Sequence, residues 1–137
     1  MSARILVDSN VLLDVLSPGS AWDAWSDDAI VSCAEYARLV INPIIYAELS
    51  VGYTSMAGLD LPLSTDLFVR ESLPWRAAFL AGKAFEQYRR AGGLRRSPLP
   101  DFYIGAHAAA TGMRLLTRDP ARYRTYFPAV ELIAPGA

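Results

Sequence analysis

The sequence predicts an α/β fold: a central parallel sheet of four to five strands with helices on both faces. Three observations point there. Short apolar runs recur at Ile5-Leu6-Val7, Leu39-Val40-Ile41, Leu115-Leu116-Thr117 and Val130-Glu131-Leu132-Ile133, with a further candidate from Leu67 to Leu73. Most are continuous rather than alternating, as strands covered on both faces are. The segments between them carry helical periodicity and cap chemistry, the pattern that builds a parallel sheet from βαβ units. The chain has 137 residues, 53% of them hydrophobic. That suffices for one core and is too short for two, so residues 1–137 are expected to form a single domain.

The elements follow in order. Ile5 to Val7 ends in Asp8, and Ser9-Asn10 offers N-cap chemistry for a helix over Val11 to Leu16, closed by Ser17-Pro18-Gly19. A second helix is predicted from about Trp22 or Ser26 to Ala37, running into the strand Leu39-Val40-Ile41. Asn42 then caps a helix with Pro43 at its first position, continuing to about Gly52-Tyr53. Thr54 to Asp66 holds Gly58 and Pro62 and reads as a short helix or turn before the strand candidate. Trp75 to Arg90 has helical periodicity and stops at Ala91-Gly92-Gly93, which opens a flexible basic loop from Leu94 to Pro98. Pro100-Asp101 starts the next helix, to about Thr111-Gly112, whose Gly105, Ala106, Ala108, Ala109 and Ala110 permit close approach of a neighbour. Arg118-Asp119-Pro120 leads from Leu115-Leu116-Thr117 into a short helical turn ending at Tyr126, ahead of the last strand.

Net charge is only −1, but the two halves oppose each other. Up to Trp75 there are three basic residues against ten acidic, and from Arg76 onward ten basic against four acidic. Every basic residue except Lys83 is arginine, whose planar fork suits phosphate and carboxylate. A polyanionic or acidic partner fits that distribution; a solvated face with surface ion pairs is the plain alternative. No apolar run reaches the roughly 18–20 residues of a bilayer span, and the N-terminus lacks a secretory signal pattern. A cytoplasmic protein with no membrane partner is expected. Cys33 and His107 are the single representatives of their types, which excludes an internal disulfide and a structural zinc site.

The chemistry lies in acids. Asp8 follows the first strand, at the edge where parallel sheets place ligands, although a capping aspartate has the same appearance. Glu48 falls among Ile44, Ile45, Val51 and Gly52 on a predicted helix, so its carboxylate should face inward and meet either an arginine or a cation. Asp101 begins a helix and Asp119 precedes Pro120, and each has a capping explanation taken singly. As a set, four carboxylates at element ends present all-oxygen donors that suit a hard cation, Mg2+ or Mn2+ best. Such a site polarises a phosphoryl oxygen and acidifies water while a spare carboxylate orients or deprotonates the nucleophile, which is phosphodiester hydrolysis. Asp14 reads as a helix-face acid outside the site.

The blocks ILVDSN at 5–10, NPIIYAELSVG at 42–52, PDFYIGAHA at 100–108 and LLTRDP at 115–120 together resemble the PIN domains of VapC-type toxins, in that family's order over nearly the whole chain. The resemblance implies a PIN-like fold and a metal-dependent ribonuclease acting as the toxin of a toxin–antitoxin pair. It carries Asp8, Glu48, Asp101 and Asp119 onto the family's acidic positions, with Asp8 and Asp101 as direct ligands of a first Mg2+, and Glu48 and Asp119 binding through water or to a second ion. Asn10 and Thr117 match positions that hydrogen-bond within the site, while Ser9 stands where the family often has threonine. An RNA substrate, homodimerisation and a cognate antitoxin that occupies the site are also implied. Arg95, Arg96 and Arg118, with other arginines of the second half, are candidates for tracking a phosphate backbone.

His107 lies six residues beyond Asp101, on the far side of a helical wheel, and is expected to pack or to contact substrate rather than share an ion. Trp22, Trp25 and Trp75 are expected in the core or at a dimer contact. A phosphoaspartyl enzyme is disfavoured, because Lys83 lies mid-helix and Asp8-Ser9-Asn10 lacks a second aspartate at i+2. A dinucleotide enzyme lacks its glycine-rich loop. Within the family, the alternatives are an RNA-processing nuclease and a silent nucleic-acid-binding module, the latter expected to have lost acids that are all present here.

Overall fold

The computed structural model describes residues 3–96 and 99–136. Its elements run β1 (Ala3–Val7), α1 (Ser9–Leu16), α2 (Asp23–Ala34), β2 (Ala37–Ile41), α3 (Pro43–Ser50), α4 (Met56–Asp60), β3 (Phe68–Arg70), α5 (Trp75–Arg90), α6 (Pro100–Thr111), β4 (Arg114–Leu116), α7 (Ala121–Tyr126) and β5 (Leu132–Ile133). The five strands form one sheet in the order β3-β2-β1-β4-β5, and every pairing is parallel. Ile5, Leu6 and Val7 are each fully buried, as are Leu115 and Leu116. This is why those runs are continuous in sequence.

From β1 the chain steps outward through β2 to β3, then returns across the sheet to β4 and β5. With right-handed crossovers, that reversal sends α1 to α4 to one face and α5 to α7 to the other. The packing within each set agrees, α1 meeting α2 and α3, α5 meeting α6 and α6 meeting α7, while α3 and α6 also meet between the two sets. The reversal also opens a crevice at the carboxyl ends of β1 and β4, where open α/β sheets bind ligands.

Several local expectations need correction. The second helix ends at Ala34, and Ala37 already belongs to β2. Ser9 is the first residue of α1 rather than its cap. Val51 is 89% exposed, so the apolar stripe drawn around Glu48 does not extend past α3. Of the two places expected for the tryptophans, core or dimer contact, Trp25 takes the core, whereas the exposed Trp22 and Trp75, the latter at 91%, are not in it. Asn42 caps α3 as predicted, its Oδ1 accepting from Ile45 N–H at 2.9 Å. Ser97 and Pro98 of the expected basic loop lie outside the described residues.

The small residues of α6 have a definite use at Gly105. A Cβ there would stand 2.4 Å from the Phe127 ring and 3.0 Å from Tyr123, so only glycine admits the close approach of α7. Gly112 ends α6 at φ +68°, a left-handed cap in which glycine carries no Cβ penalty.

Candidate active site

Asp8 follows β1 directly, its N–H donating to Leu116 C=O of β4 at 2.9 Å. It occupies the N-cap position of α1, yet its side chain makes no cap hydrogen bond. Its carboxylate turns inward instead. Oδ2 accepts from Tyr123 Oη at 2.8 Å, Thr117 Oγ1 at 2.9 Å and Asn10 Nδ2 at 3.3 Å. Oδ1 has only the Ser9 hydroxyl at 3.5 Å, a distance at which an O–H···O bond is scarcely formed. The single Ser9 proton goes to Glu48 Oε1, at 2.8 Å. One oxygen of Asp8 is therefore saturated, and the other is left over.

Glu48 is half-buried on α3, and among the described residues no arginine or lysine stands within ion-pair distance of it or of Asp8. Asp101 sits in the first turn of α6 without capping it, with Arg122 Nη1 at 3.4 Å from Oδ2 and Tyr123 Oη at 3.5 Å from Oδ1. Asp119 does not cap α7 either, because Pro120 holds that position. The Asp119 side chain is 78% exposed. None of the three capping explanations open to these aspartates applies.

The electrostatics join the acids into one group. Burial pushes Asp8 up to about 6, against the hydrogen bonds from Tyr123 and Thr117, and the charges of Asp101 and Glu48 push in the same direction. Glu48 is raised by burial and by Asp101, with Ser9 opposing. Asp101 is raised by burial and by Asp119, with Arg122 and Tyr123 opposing. Like charges crowded beside a sheet edge raise one another's proton affinity, and only Asp101 among these three has a cation, Arg122, at ion-pair distance. Among the described residues no three His, Cys, Asp or Glu side chains already stand close enough to close on one ion. The donor set, all carboxylate and hydroxyl oxygen with Asp8 Oδ1 unclaimed, fits a hard divalent cation.

Tyr123 is the residue that sequence reasoning missed. It is 1% exposed, and its phenol is held far above its ordinary range by burial and by Asp8 and Asp101, so it remains a donor to the acids throughout the working pH range. Asn10 and Thr117 both lie beside Asp8, Asn10 Nδ2 being 3.3 Å from Thr117 Oγ1. Thr117 is fully buried, and its Oγ1 accepts from Asp119 N–H at 3.1 Å. Asp14 is not a bystander: it is buried and binds Arg118 Nε at 2.8 Å. Arg95 and Arg96 are exposed. His107 is fully buried, its Nδ1 paired with Asn42 Nδ2 at 2.9 Å and its Nε2 3.4 Å from Glu71 Oε1 without hydrogen-bond alignment. It is a packed residue.

An open cleft of about 490 Å³ adjoins the acids, lined by Asp101, Asp119, Arg122, Tyr88 and Tyr126 among others. A hollow of about 310 Å³ at the β2–β3 edge, lined by Asn42, Tyr46, Arg70 and Glu71 among others, is less available to a ligand. Its charged groups already pair, Arg70 with Asp60 and Glu71 with Arg4.

Residues 5–128 match the PIN domain family. The chain belongs to the PIN domain family. Its members are nucleases that generally use divalent metal ions. No curated protein sequence matches this PIN domain, but solved structures do. It aligns over 97% of its length with 99% of a chain in VapBC2 from Rickettsia felis bound to a promoter DNA fragment, at 15% identity and TM-score 0.73. A toxin-antitoxin complex from Klebsiella pneumoniae gives 22% identity and TM-score 0.68, with 98% of both chains covered. VapC20 from Mycobacterium tuberculosis, described as a sarcin-ricin loop cleaving toxin, gives 18% and 0.56 over 80% of this chain and 85% of that one. These likenesses establish a shared fold. No helix among the described residues is long and apolar enough to cross a membrane.

Proposed function

We propose that this PIN domain is a Mg2+- or Mn2+-dependent endoribonuclease acting as the toxin of a toxin–antitoxin pair. The observation that carries the reading is the convergence of Asp8, Glu48 and Asp101 at one sheet edge, with Asp8 and Glu48 facing no cationic side chain. Asp8 through Oδ1, Asp101, Glu48 and Asp119 would hold the ion. When bound, a divalent ion supplies Lewis acidity toward a phosphoryl oxygen and acidifies water. Tyr123, Thr117 and Asn10 fix Asp8 by its other oxygen. Glu48, whose proton affinity burial raises, is suited to accept a proton from the attacking water. Arg122, Tyr88 and Tyr126 in the cleft offer a phosphate partner and stacking faces for single-stranded RNA, and the exposed Arg95 and Arg96 extend the basic track.

The toxin role draws on the shared fold, since the similar structures include VapBC and toxin-antitoxin complexes. A cognate antitoxin and a homodimer belong to the same proposal. A silent binding module is disfavoured by the retention of all four acids. Purified protein should cleave RNA with Mg2+ or Mn2+ and not with EDTA, and folded Asp8→Asn protein should lose on the order of 10²-fold or more in rate. Undiminished cleavage in EDTA, or by Asp8→Asn, defeats the mechanism. Expression should arrest growth unless an adjacent reading frame supplies the antitoxin; harmless expression of an active nuclease favours RNA processing.

A further inference from the structure

We infer that Asp14 is a positioning residue of this centre: it holds Arg118 and, through it, fixes where Asp119 stands. The inference rests on the metal-dependent reading above. Asp14 lies on α1, and its side chain is only 3% exposed. A carboxylate is rarely buried so deeply without partners, and here they come from three separate segments. Ser26 Oγ of α2 donates to Oδ2 at 2.7 Å, Ser20 Oγ of the preceding loop, its one proton shared with Asp23 Oδ1 at the same distance, stands 3.1 Å from Oδ1, and Arg118 Nε donates to Oδ2 at 2.8 Å. The first two hold Asp14 in place. The third is its outward connection, and it reaches the loop between β4 and α7 across 104 positions of sequence.

That loop carries Thr117 and Asp119. Asp119, at 78% side-chain exposure, has no packing to define its position, so its place depends on the backbone around it. Arg118 N–H donates to Asn10 Oδ1 at 3.3 Å and Asp119 N–H to Thr117 Oγ1 at 3.1 Å. The Asp14–Arg118 contact is shorter than either and is charge-assisted, which makes it the firmest tie on the loop. It also governs charge. Arg118 Nη1 stands 3.9 Å from Asp119 Oδ2, the nearest cation to that acid. While Nε is held by Asp14, the guanidinium stays turned toward α1. Without Asp14 the guanidinium can turn to Asp119, where it would compete with a divalent ion, or to Asp23, whose carboxylate its charge already reaches. A buried ion pair adds little to stability compared with apolar residues of similar size, so a role in the site accounts for this one better than stability does.

Mn2+ affinity by isothermal titration calorimetry tests this without any RNA cleavage. Asp14→Asn leaves Arg118 unpaired and can unfold the protein, so D14N/R118Q, which removes both charges, is measured beside it after folding is verified. Each folded variant should weaken Mn2+ binding about tenfold, the usual effect of losing a partner behind a ligand. In an Asp119→Ala background, D14N should cost less than about twofold, because the effect travels through Asp119. Equal losses in both backgrounds, or unchanged affinity in folded D14N/R118Q, overturn the inference and leave the metal reading standing. A wild-type chain that binds no Mn2+ overturns both.

Discussion

At Asp8 the fold buries a carboxylate and answers it with hydroxyl and amide donors from Tyr123, Thr117 and Asn10 rather than with a cation. The consequence can be read in pH. Unfolded, Asp8 titrates near 3.8, and folded near 6, so between those values the native state binds the extra proton. Stability from this group is full below the lower value and is lost as pH rises through the upper one. Glu48 and Asp101 are shifted in the same direction. Metal-free protein should therefore lose stability between about pH 4 and 6.5, with Asp8 alone contributing on the order of 2 kcal/mol. Asp8→Asn should flatten the fall, and Mg2+ should offset it in the wild type only. Urea midpoints across that range measure it, and a wild-type midpoint that rises instead would contradict the proposed charge state. The acids themselves are legible in sequence because three sit at element ends and Glu48 falls among apolar residues of a helix. The loss of their capping alternatives is not, since that depends on where each side chain turns.

Among the elements, α7 is short but carries Tyr123, and α6 admits it only at Gly105. A methyl group there meets the Phe127 ring at 2.4 Å, and overpacking of this kind typically costs about 1–3 kcal/mol. Gly105→Ala should lower the thermal midpoint and, in the protein that remains folded, reduce RNA cleavage by moving the Tyr123 hydroxyl off Asp8. Stability lost with full specific activity would separate α7 from the site. The adjacent alanines and glycine of α6 mark it, in sequence, as built for close approach. They cannot say what approaches, because Tyr123 and Asp8 lie 115 positions apart. Asp14 looks like a bystander in sequence for the same reason: its partner comes from a distant loop. The end of α2 is hard to place because Glu35-Tyr36-Ala37 suits a helix as well as a strand entry.

For the molecule as a whole, the division of charge along the chain becomes a division of labour. The acidic half supplies Asp8 and Glu48, and the basic half supplies, beside Asp101 and Asp119, Arg122 in the cleft and the arginines of the loop before α6. Arg95 and Arg96 are exposed there. If each meets one phosphate of single-stranded RNA, the R95A/R96A protein should bind RNA more weakly, and its log K against log[salt] slope should become shallower by about 0.7 for each phosphate no longer neutralised. A metal-free fluorescence titration of labelled RNA at several salt concentrations reads this directly, and an unchanged slope would take both residues out of the RNA track. The parallel sheet and its helices are recoverable from continuous apolar runs, but the strand order is not, because nothing local says which runs become neighbours.

That order bears on how the protein comes into being. β1 is made first yet lies at the centre, and its partner β4 is made about a hundred residues later, bringing Thr117, Asp119 and Tyr123 with it. A growing chain emerging from a ribosome can pair β1 with β2 and β3 early, but Asp8 then faces an open edge with none of its donors from the second half. The cluster of acids and its donors is complete only once the last quarter of the polypeptide has been synthesised and folded back. Chains cut short before β4 should therefore be inert, however well their first half folds.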